Sequence, residues 1–144
     1  MKDASGKTAL VKATKRGDVE AVKMLIEAGA DVNVTVKIST LREGWTALMY
    51  ATKKDDAEIT KILIDAGANV DIQSRKGRTA LMHAAKNGRV EVVKILTDAG
   101  ANLNLKDIFR KTALMYALEK GDAKIVKVLT DAGARRKKKL LDRY

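Results

Sequence analysis

The sequence predicts an all-α solenoid in which four similar units, each a pair of helices, stack in a row. Three observations indicate this fold class. The motif "TALV" or "TALM" begins at Thr8, Thr46, Thr79 and Thr112, with spacings of 38, 33 and 33 residues. A second motif, "AGA", recurs at the same three spacings, and the letters between the motifs carry apolar residues at helical intervals. Self-similarity with a period near 33 residues is the signature of a repeat protein.

The repeats fill nearly the whole chain, which we therefore predict to be a single domain over residues 1–144. The connection between the first two units is five residues longer than the others, and the chain finishes on a basic tail. The predicted segments are units at about 3–34, 41–73, 74–106 and 107–134, an insertion at about 35–40, and the tail at 135–144.

Each unit contains two predicted helices. The first begins at the threonine, which is a favourable N-cap, and reads for example "ALMYATKK". The second reads for example "DAEITKILIDAG" and finishes on a glycine suited to the left-handed position after a helix. These glycines are Gly29, Gly67, Gly100 and Gly133. Because neither helix can bury its apolar face alone, the leucines of the four motifs should form one core layer: Leu10, Leu48, Leu81 and Leu114.

Two positions depart from the repeat pattern. Asp55 stands between helices where the other units have glycine, and Arg110 replaces a glycine of the turn before the fourth motif. Aspartate tolerates a positive φ better than most residues, whereas arginine in that conformation costs on the order of 1 kcal/mol. We therefore expect the fourth turn to be distorted or mobile.

The chain resembles the ankyrin repeat family, whose unit is a β-turn followed by two antiparallel helices. The resemblance rests on "DASGKTAL", "SRKGRTAL", "NGRVEVVKIL" and "DAGANVD", which recur in register over roughly residues 3–134. "TALM" stands where the family usually has Thr-Pro-Leu-His, and the chain has no proline. The resemblance implies a concave groove, lined by the turn tips and the outer face of each first helix, in which the family holds its partners.

Matched to the family position by position, the groove collects basic and aromatic side chains. The varying letter of "TALMYA" and "TALMHA", which is Tyr50, His83 or Tyr116, is predicted to point outward on a helix face shared with the residues three and four positions later. These are Lys53 and Lys54 after Tyr50, and Lys86 and Asn87 after His83. Trp45, at a turn tip, is the main predicted anchor. The predicted partner-binding residues are Lys12, Arg42, Trp45, Tyr50, Lys53, Lys54, Arg75, Arg78, His83, Lys86, Phe109, Lys111 and Tyr116.

The charge of the chain is unevenly distributed. The formal net charge is +11. The predicted groove positions hold 13 basic and 2 acidic side chains, whereas the four second helices hold ten acidic and six basic ones. A basic groove with a mildly acidic back favours an acidic protein or peptide as partner. Binding of nucleic acid or another polyanion by the same groove is the alternative, and a scaffold without a natural partner is a third possibility.

Composition excludes several functional classes. The chain has no cysteine, one histidine and no phosphate-cradling glycine loop, so the sequence indicates neither an enzyme nor a cofactor or metal site. It shows no secretory leader and no apolar run of membrane-spanning length. We therefore expect a non-catalytic, cytoplasmic monomer, or a nuclear one if the source is eukaryotic.

Two segments carry open alternatives. The insertion alternates Val32, Val34, Val36 and Ile38 with polar residues, which predicts either an extended hairpin or a tolerated loop insertion. The tail "RRKKKLLDRY" is consistent with a localisation or nucleic-acid signal. We favour a cap in which Leu140 and Leu141 cover the apolar face of the last unit. The sequence leaves open whether the chain is natural, part of a longer array or designed.

Overall fold

The described part of the chain folds into helices only. The computed structural model describes the backbone of residues 4–35 and 44–141, and the side chains of residues 9–35 and 44–133. Within these ranges there are eight helices and no strands, which confirms the predicted fold class. The helices are α1 (Ala4–Arg16), α2 (Val19–Glu27), α3 (Ala47–Lys54), α4 (Ala57–Asp65), α5 (Ala80–Lys86), α6 (Val90–Asp98), α7 (Ala113–Lys120) and α8 (Ala123–Leu141).

The threonine of the repeated motif caps the first helix of units two, three and four. The hydroxyls of Thr46, Thr79 and Thr112 accept hydrogen bonds from the backbone amides three residues later, at 3.3, 3.2 and 3.3 Å. The predicted caps are confirmed in these three units. In unit one the prediction is wrong, because α1 begins at Ala4. No preceding helix pair packs against that segment in the described structure to hold it in a turn.

Glycine ends three of the four second helices. Gly29, Gly67 and Gly100 adopt φ values of 91°, 95° and 86°, as the sequence predicts. Gly133 does not end its helix, since α8 continues to Leu141. The residues that follow Gly133 are mainly alanine, arginine, lysine and leucine, which favour helix.

The two unusual positions keep the backbone that glycine would adopt. Asp55 and Arg110 have φ values of 62° and 63°. The turn containing Arg110 is nevertheless closed, because Asp107 N–H donates to Lys111 O at 3.1 Å and Arg110 N–H donates to Asp107 O at 2.9 Å. The corresponding pair of bonds closes the turn at 74–78. The expected distortion of the fourth turn is therefore wrong, and a carboxylate described below explains why.

The predicted core layer is continuous through three units and open in the fourth. Leu10, Leu48 and Leu81 are 4%, 2% and 1% exposed, whereas Leu114 is 36% exposed. The prediction for Leu114 is wrong, because the described residues provide no further helix pair to cover its side of α7. The exposed side chains of this end face are Leu114, Met115 and Leu118.

Hydrogen bonds between loops hold neighbouring units in register. Asn69 N–H donates to Asn33 Oδ1 at 2.7 Å, and Asn102 N–H donates to Asp71 Oδ1 at 2.8 Å. These bonds repeat the same geometry from one unit to the next. The turns at 74–78 and 107–111 therefore lie side by side, which places their tips on one surface.

Two sequence predictions fall on residues that the structure does not describe. The predicted hairpin of the insertion lies largely within 36–43, as does Arg42. The side chains of Leu140 and Leu141, predicted to cap the last unit, also lie outside the described side chains.

Candidate partner-binding groove

Four buried rings form the floor of the groove, by which we mean the surface built from the turns at 44–45, 74–78 and 107–111 and from α1, α3, α5 and α7. Trp45 is 8% exposed, and Tyr50, His83 and Tyr116 are each 5% exposed. The prediction that these side chains leave the core and point outward is therefore wrong. They lie on the predicted side of each first helix, but neighbouring side chains cover them.

Trp45 covers two of these rings. Its ring centroid lies 4.9 Å from that of Tyr50 and 4.4 Å from that of His83, with interplanar angles of 57° and 52°. Tilted ring pairs at such distances are favourable packing contacts. Because Tyr50 is on α3 and His83 on α5, the indole joins units two and three.

Cations surround the rings at both ends of the floor. Lys15 Nζ lies 5.2 Å from the centroid of Tyr50. Around Tyr116, Arg78 Cζ, Lys86 Nζ and Lys111 Nζ lie at 5.8, 6.0 and 5.5 Å. Cations within about 6 Å of an aromatic face are attracted to it. The basic side chains thus shield the rings that the sequence assigned to partner contact.

Asp107 is a buried carboxylate at the centre of the fourth turn, and its side chain has no exposed surface. It accepts hydrogen bonds from the Tyr116 hydroxyl and from the backbone amides of Phe109 and Lys111, at 2.9 and 3.1 Å. Arg78 Nε lies 3.6 Å from Asp107 Oδ2. These bonds hold the turn in place despite the positive φ at Arg110.

The same bonds determine the ionisation of the pair. Burial alone would raise the pKa of Asp107, but the hydrogen bonds from Tyr116, Lys111 and Phe109, with the nearby Arg78, outweigh it and lower the pKa. Burial and the bond to Asp107 raise the pKa of the Tyr116 hydroxyl. At neutral pH the carboxylate is charged and the hydroxyl keeps its proton.

Sequence reasoning did not identify Asp107. The sequence did contain a signal for it. In turns, the carboxylate of an aspartate commonly accepts hydrogen bonds from backbone amides a few residues later. The corresponding position of unit three is Ser74, whose hydroxyl accepts from the backbone amide of Arg78 at 3.3 Å. The turns at 74–78 and 107–111 therefore both have a side-chain hydrogen-bond acceptor at their first position.

His83 is a neutral, buried histidine. Its pKa is lowered from 6.5 to about 4, first by burial and then by the positive charges of Arg78, Lys86 and Lys53. The unfolded chain binds a proton at this ring more readily than the folded chain does. The stabilising contribution is therefore present above pH 6.5 and is lost as the pH falls toward 4.

We predict that the free energy of unfolding decreases by on the order of 2 kcal/mol between pH 7 and pH 5. Urea unfolding at several pH values, followed by circular dichroism, would measure this loss. Since the chain has one histidine, the effect belongs to His83 alone. The variant His83→Gln should have a lower free energy of unfolding at pH 7. That free energy should change little between pH 7 and pH 5. An equal pH dependence in the variant would contradict the assignment.

The other predicted binding residues fall into several groups. Phe109 is 57% exposed at the tip of the fourth turn. Arg78 and Lys111 are half-buried. Lys54 packs against Gly17, since a Cβ at Gly17 would lie 2.8 Å from Lys54 Cε, and this places it at the connection between α1 and α2. The exposed basic residues are Lys12, Lys53, Lys54, Arg75 and Lys86.

A cleft of about 190 Å³ lies at the middle of the groove, between the turns of units two and three and α5. We call it the central cleft. It brings together five predicted residues and adds Lys76, Ser74 and Asn87, while Lys12, Lys54 and Phe109 lie outside it. The predicted residues that line it are Trp45, Lys53, Arg78, His83 and Lys86.

The stacked helix pairs define a repeat solenoid, and comparison with known families gives its class. A family model of three ankyrin repeats matches residues 34–107 and 70–139, and a single-repeat model matches residues 5–37. The chain belongs to the ankyrin repeat family. Ankyrin repeats are non-catalytic protein–protein interaction modules. A search of curated proteins found no match. No helix in the described ranges combines the length and apolar content needed to cross a membrane.

Proposed function

We propose that this protein is a non-catalytic module that binds an acidic segment of a partner protein along its groove. The observation that carries the proposal is the separation of charge between the two sides of the stack. The exposed side chains of the groove that the structure describes are mainly basic, and they lie directly above a rigid aromatic floor. The acidic residues are concentrated on the second helices, on the other side.

An exposed apolar pair supplies a second type of contact. Ile108 and Phe109, at the tip of the fourth turn, are 59% and 57% exposed. Aromatic anchors surrounded by charged residues are typical of protein interfaces. A partner segment with acidic residues and one or two apolar side chains would match the groove along its length.

The burial of the rings argues against the nucleic-acid alternative. Single-stranded nucleic acid binds by stacking bases on exposed aromatic faces. Here Trp45, Tyr50 and Tyr116 are at most 8% exposed, so their faces are already covered. Only Phe109 among the described aromatic residues offers an accessible ring. The groove therefore favours an acidic peptide over a base-stacked strand.

We predict that Lys53→Gln combined with Lys86→Gln weakens binding of an acidic peptide by about fivefold at low salt. Each exposed ion pair contributes roughly 0.5 kcal/mol, and the two together about 1 kcal/mol. Affinity would be measured by fluorescence anisotropy of a labelled peptide rich in glutamate, in a series of sodium chloride concentrations. The difference from the unmodified protein should shrink as salt rises.

The matched control is Lys61→Gln combined with Lys94→Gln, two exposed lysines on the second helices α4 and α6. It removes the same charge from the opposite side. The control should bind nearly as well as the unmodified protein. Equal weakening in both double variants would show that only net charge matters, and tighter binding of a single-stranded oligonucleotide than of the peptide would favour the nucleic-acid function.

A further inference from the structure

Among the described residues, the charged side chains that line the central cleft are all basic. The basic side chains that line it come from α3, the turn of unit three and α5: Lys53, Lys76, Arg78 and Lys86. No carboxylate of the described residues lines it. The buried acid Asp107 lies 3.6 Å from Arg78 Nε and already accepts hydrogen bonds from Tyr116 and two backbone amides. The cleft is therefore built to attract an anion.

Two buried nitrogen atoms of cleft residues have no hydrogen-bond partner among the described residues. They are His83 Nε2 and Arg78 Nε. His83 is 5% exposed, and the 3.6 Å from Arg78 Nε to Asp107 Oδ2 exceeds hydrogen-bond length. A buried polar atom without a partner is uncommon and costly in native proteins. An acceptor oxygen of a ligand that reached these atoms would satisfy Arg78 Nε, and His83 Nε2 in the tautomer that carries its proton there.

Electrostatic repulsion among the basic side chains of the cleft also indicates an anion site. The pKa of Lys86 is lowered by burial and then by the charges of Arg78 and Lys76, which outweigh the opposing charge of Asp107. The pKa of His83 is lowered by burial and then by Arg78, Lys86 and Lys53. A negative group placed among these side chains would relieve the repulsion.

We infer that the central cleft binds a single phosphate monoester group, carried by a phosphorylated side chain of the partner segment. This inference rests on the proposed function, since it assumes that the partner segment lies along the groove. A phosphate monoester carries up to two negative charges and three strong acceptor oxygens, which suit four basic side chains. A carboxylate carries one charge and two oxygens, and would leave most of these donors unused.

The chain carries two built-in probes of the cleft. Trp45 is its single tryptophan and His83 its single histidine, and both line the cleft. Binding would be followed by the fluorescence of Trp45 and by the NMR resonances of His83, at constant ionic strength. Three peptides of equal length would be compared, which differ at one position that holds phosphoserine, glutamate or serine.

We expect the phosphoserine peptide to bind about tenfold more tightly than the glutamate peptide, with saturable changes at Trp45 and His83. The double variant Lys76→Gln with Lys86→Gln should lose this preference, whereas Lys61→Gln with Lys94→Gln should keep it. Inorganic phosphate should compete with the phosphoserine peptide at the same two probes, and chloride at equal ionic strength should not.

Each other outcome has a definite meaning. If all three peptides bind with equal affinity, the phosphate inference is overturned while the proposed function stands. If none of them binds, both are overturned. If the phosphoserine preference persists in Lys76→Gln with Lys86→Gln, or disappears equally in the control, the central cleft is not the site.

Discussion

Replacing Leu81 with alanine is expected to lower the free energy of unfolding by about 4 kcal/mol, whereas the same change at Leu114 should cost less than about 1 kcal/mol. Both leucines occupy the same place in the repeated motif. Leu81 is 1% exposed and lies on α5, which packs between α3 and α7. Leu114 is 36% exposed on the open end of the stack. Deleting the buried side chain leaves a cavity, and deleting the exposed one does not.

Urea unfolding followed by circular dichroism would measure both changes under identical conditions. Leu114→Ala is the matched control, because helix propensity, volume removed and motif position are the same. Equal losses in the two variants would contradict the exposure of the end face. A loss below about 1 kcal/mol for Leu81→Ala would contradict the central place of α5 in the core.

Replacing Asp107 with alanine is expected to destabilise the protein by about 3 to 5 kcal/mol. The change removes the acceptor of the Tyr116 hydroxyl and of two backbone amides. It also leaves the Arg78 guanidinium without the negative charge beside it. Buried donors without partners account for most of the cost. The loss should be largest in the fourth turn, where Arg110 has a positive φ and the Asp107 carboxylate bonds to two backbone amides.

Two milder variants separate the contribution of the Tyr116 hydrogen bond to stability from that of the Asp107 charge. Tyr116→Phe removes one hydrogen bond and should cost about 1 to 2 kcal/mol. Asp107→Asn keeps the shape but removes the charge, so its effect should lie between those of Tyr116→Phe and Asp107→Ala. Urea unfolding of the three variants gives the order. A cost for Asp107→Ala no larger than that for Tyr116→Phe would show that the carboxylate does not hold the turn.

Most of the fold could be predicted because the residues that determine the local structure recur in each repeat. The threonine caps, the apolar spacing and the helix-ending glycines recur, so their consequences recur as well. The failures occur at the ends. Thr8, Gly133 and Leu114 carry the motif letters of their counterparts, but their structure differs where the described residues provide no neighbouring unit. Periodicity encodes the contacts between units and contains no information about an unpaired face.

The groove was harder to predict for a different reason. Helical spacing identified the side on which Tyr50, His83 and Tyr116 lie, but exposure depends on what covers that side. Trp45 occupies a position held by Arg78 and Lys111 in the next units, so its contacts with Tyr50 and His83 have no precedent in the repeat. Such individual side-chain contacts are decided by tertiary packing and leave no periodic trace in the sequence.

The open end face has a consequence for how the groove responds to a partner. In a linear stack an interior unit is held by two neighbours and a terminal unit by one, so local opening requires less free energy toward the end. Phe109 and the Asp107 network belong to that end unit, whereas the central cleft lies between two fully packed units. Under the two proposals, the partner segment would contact a cleft held between two units and a turn that, among the described residues, has one neighbouring unit.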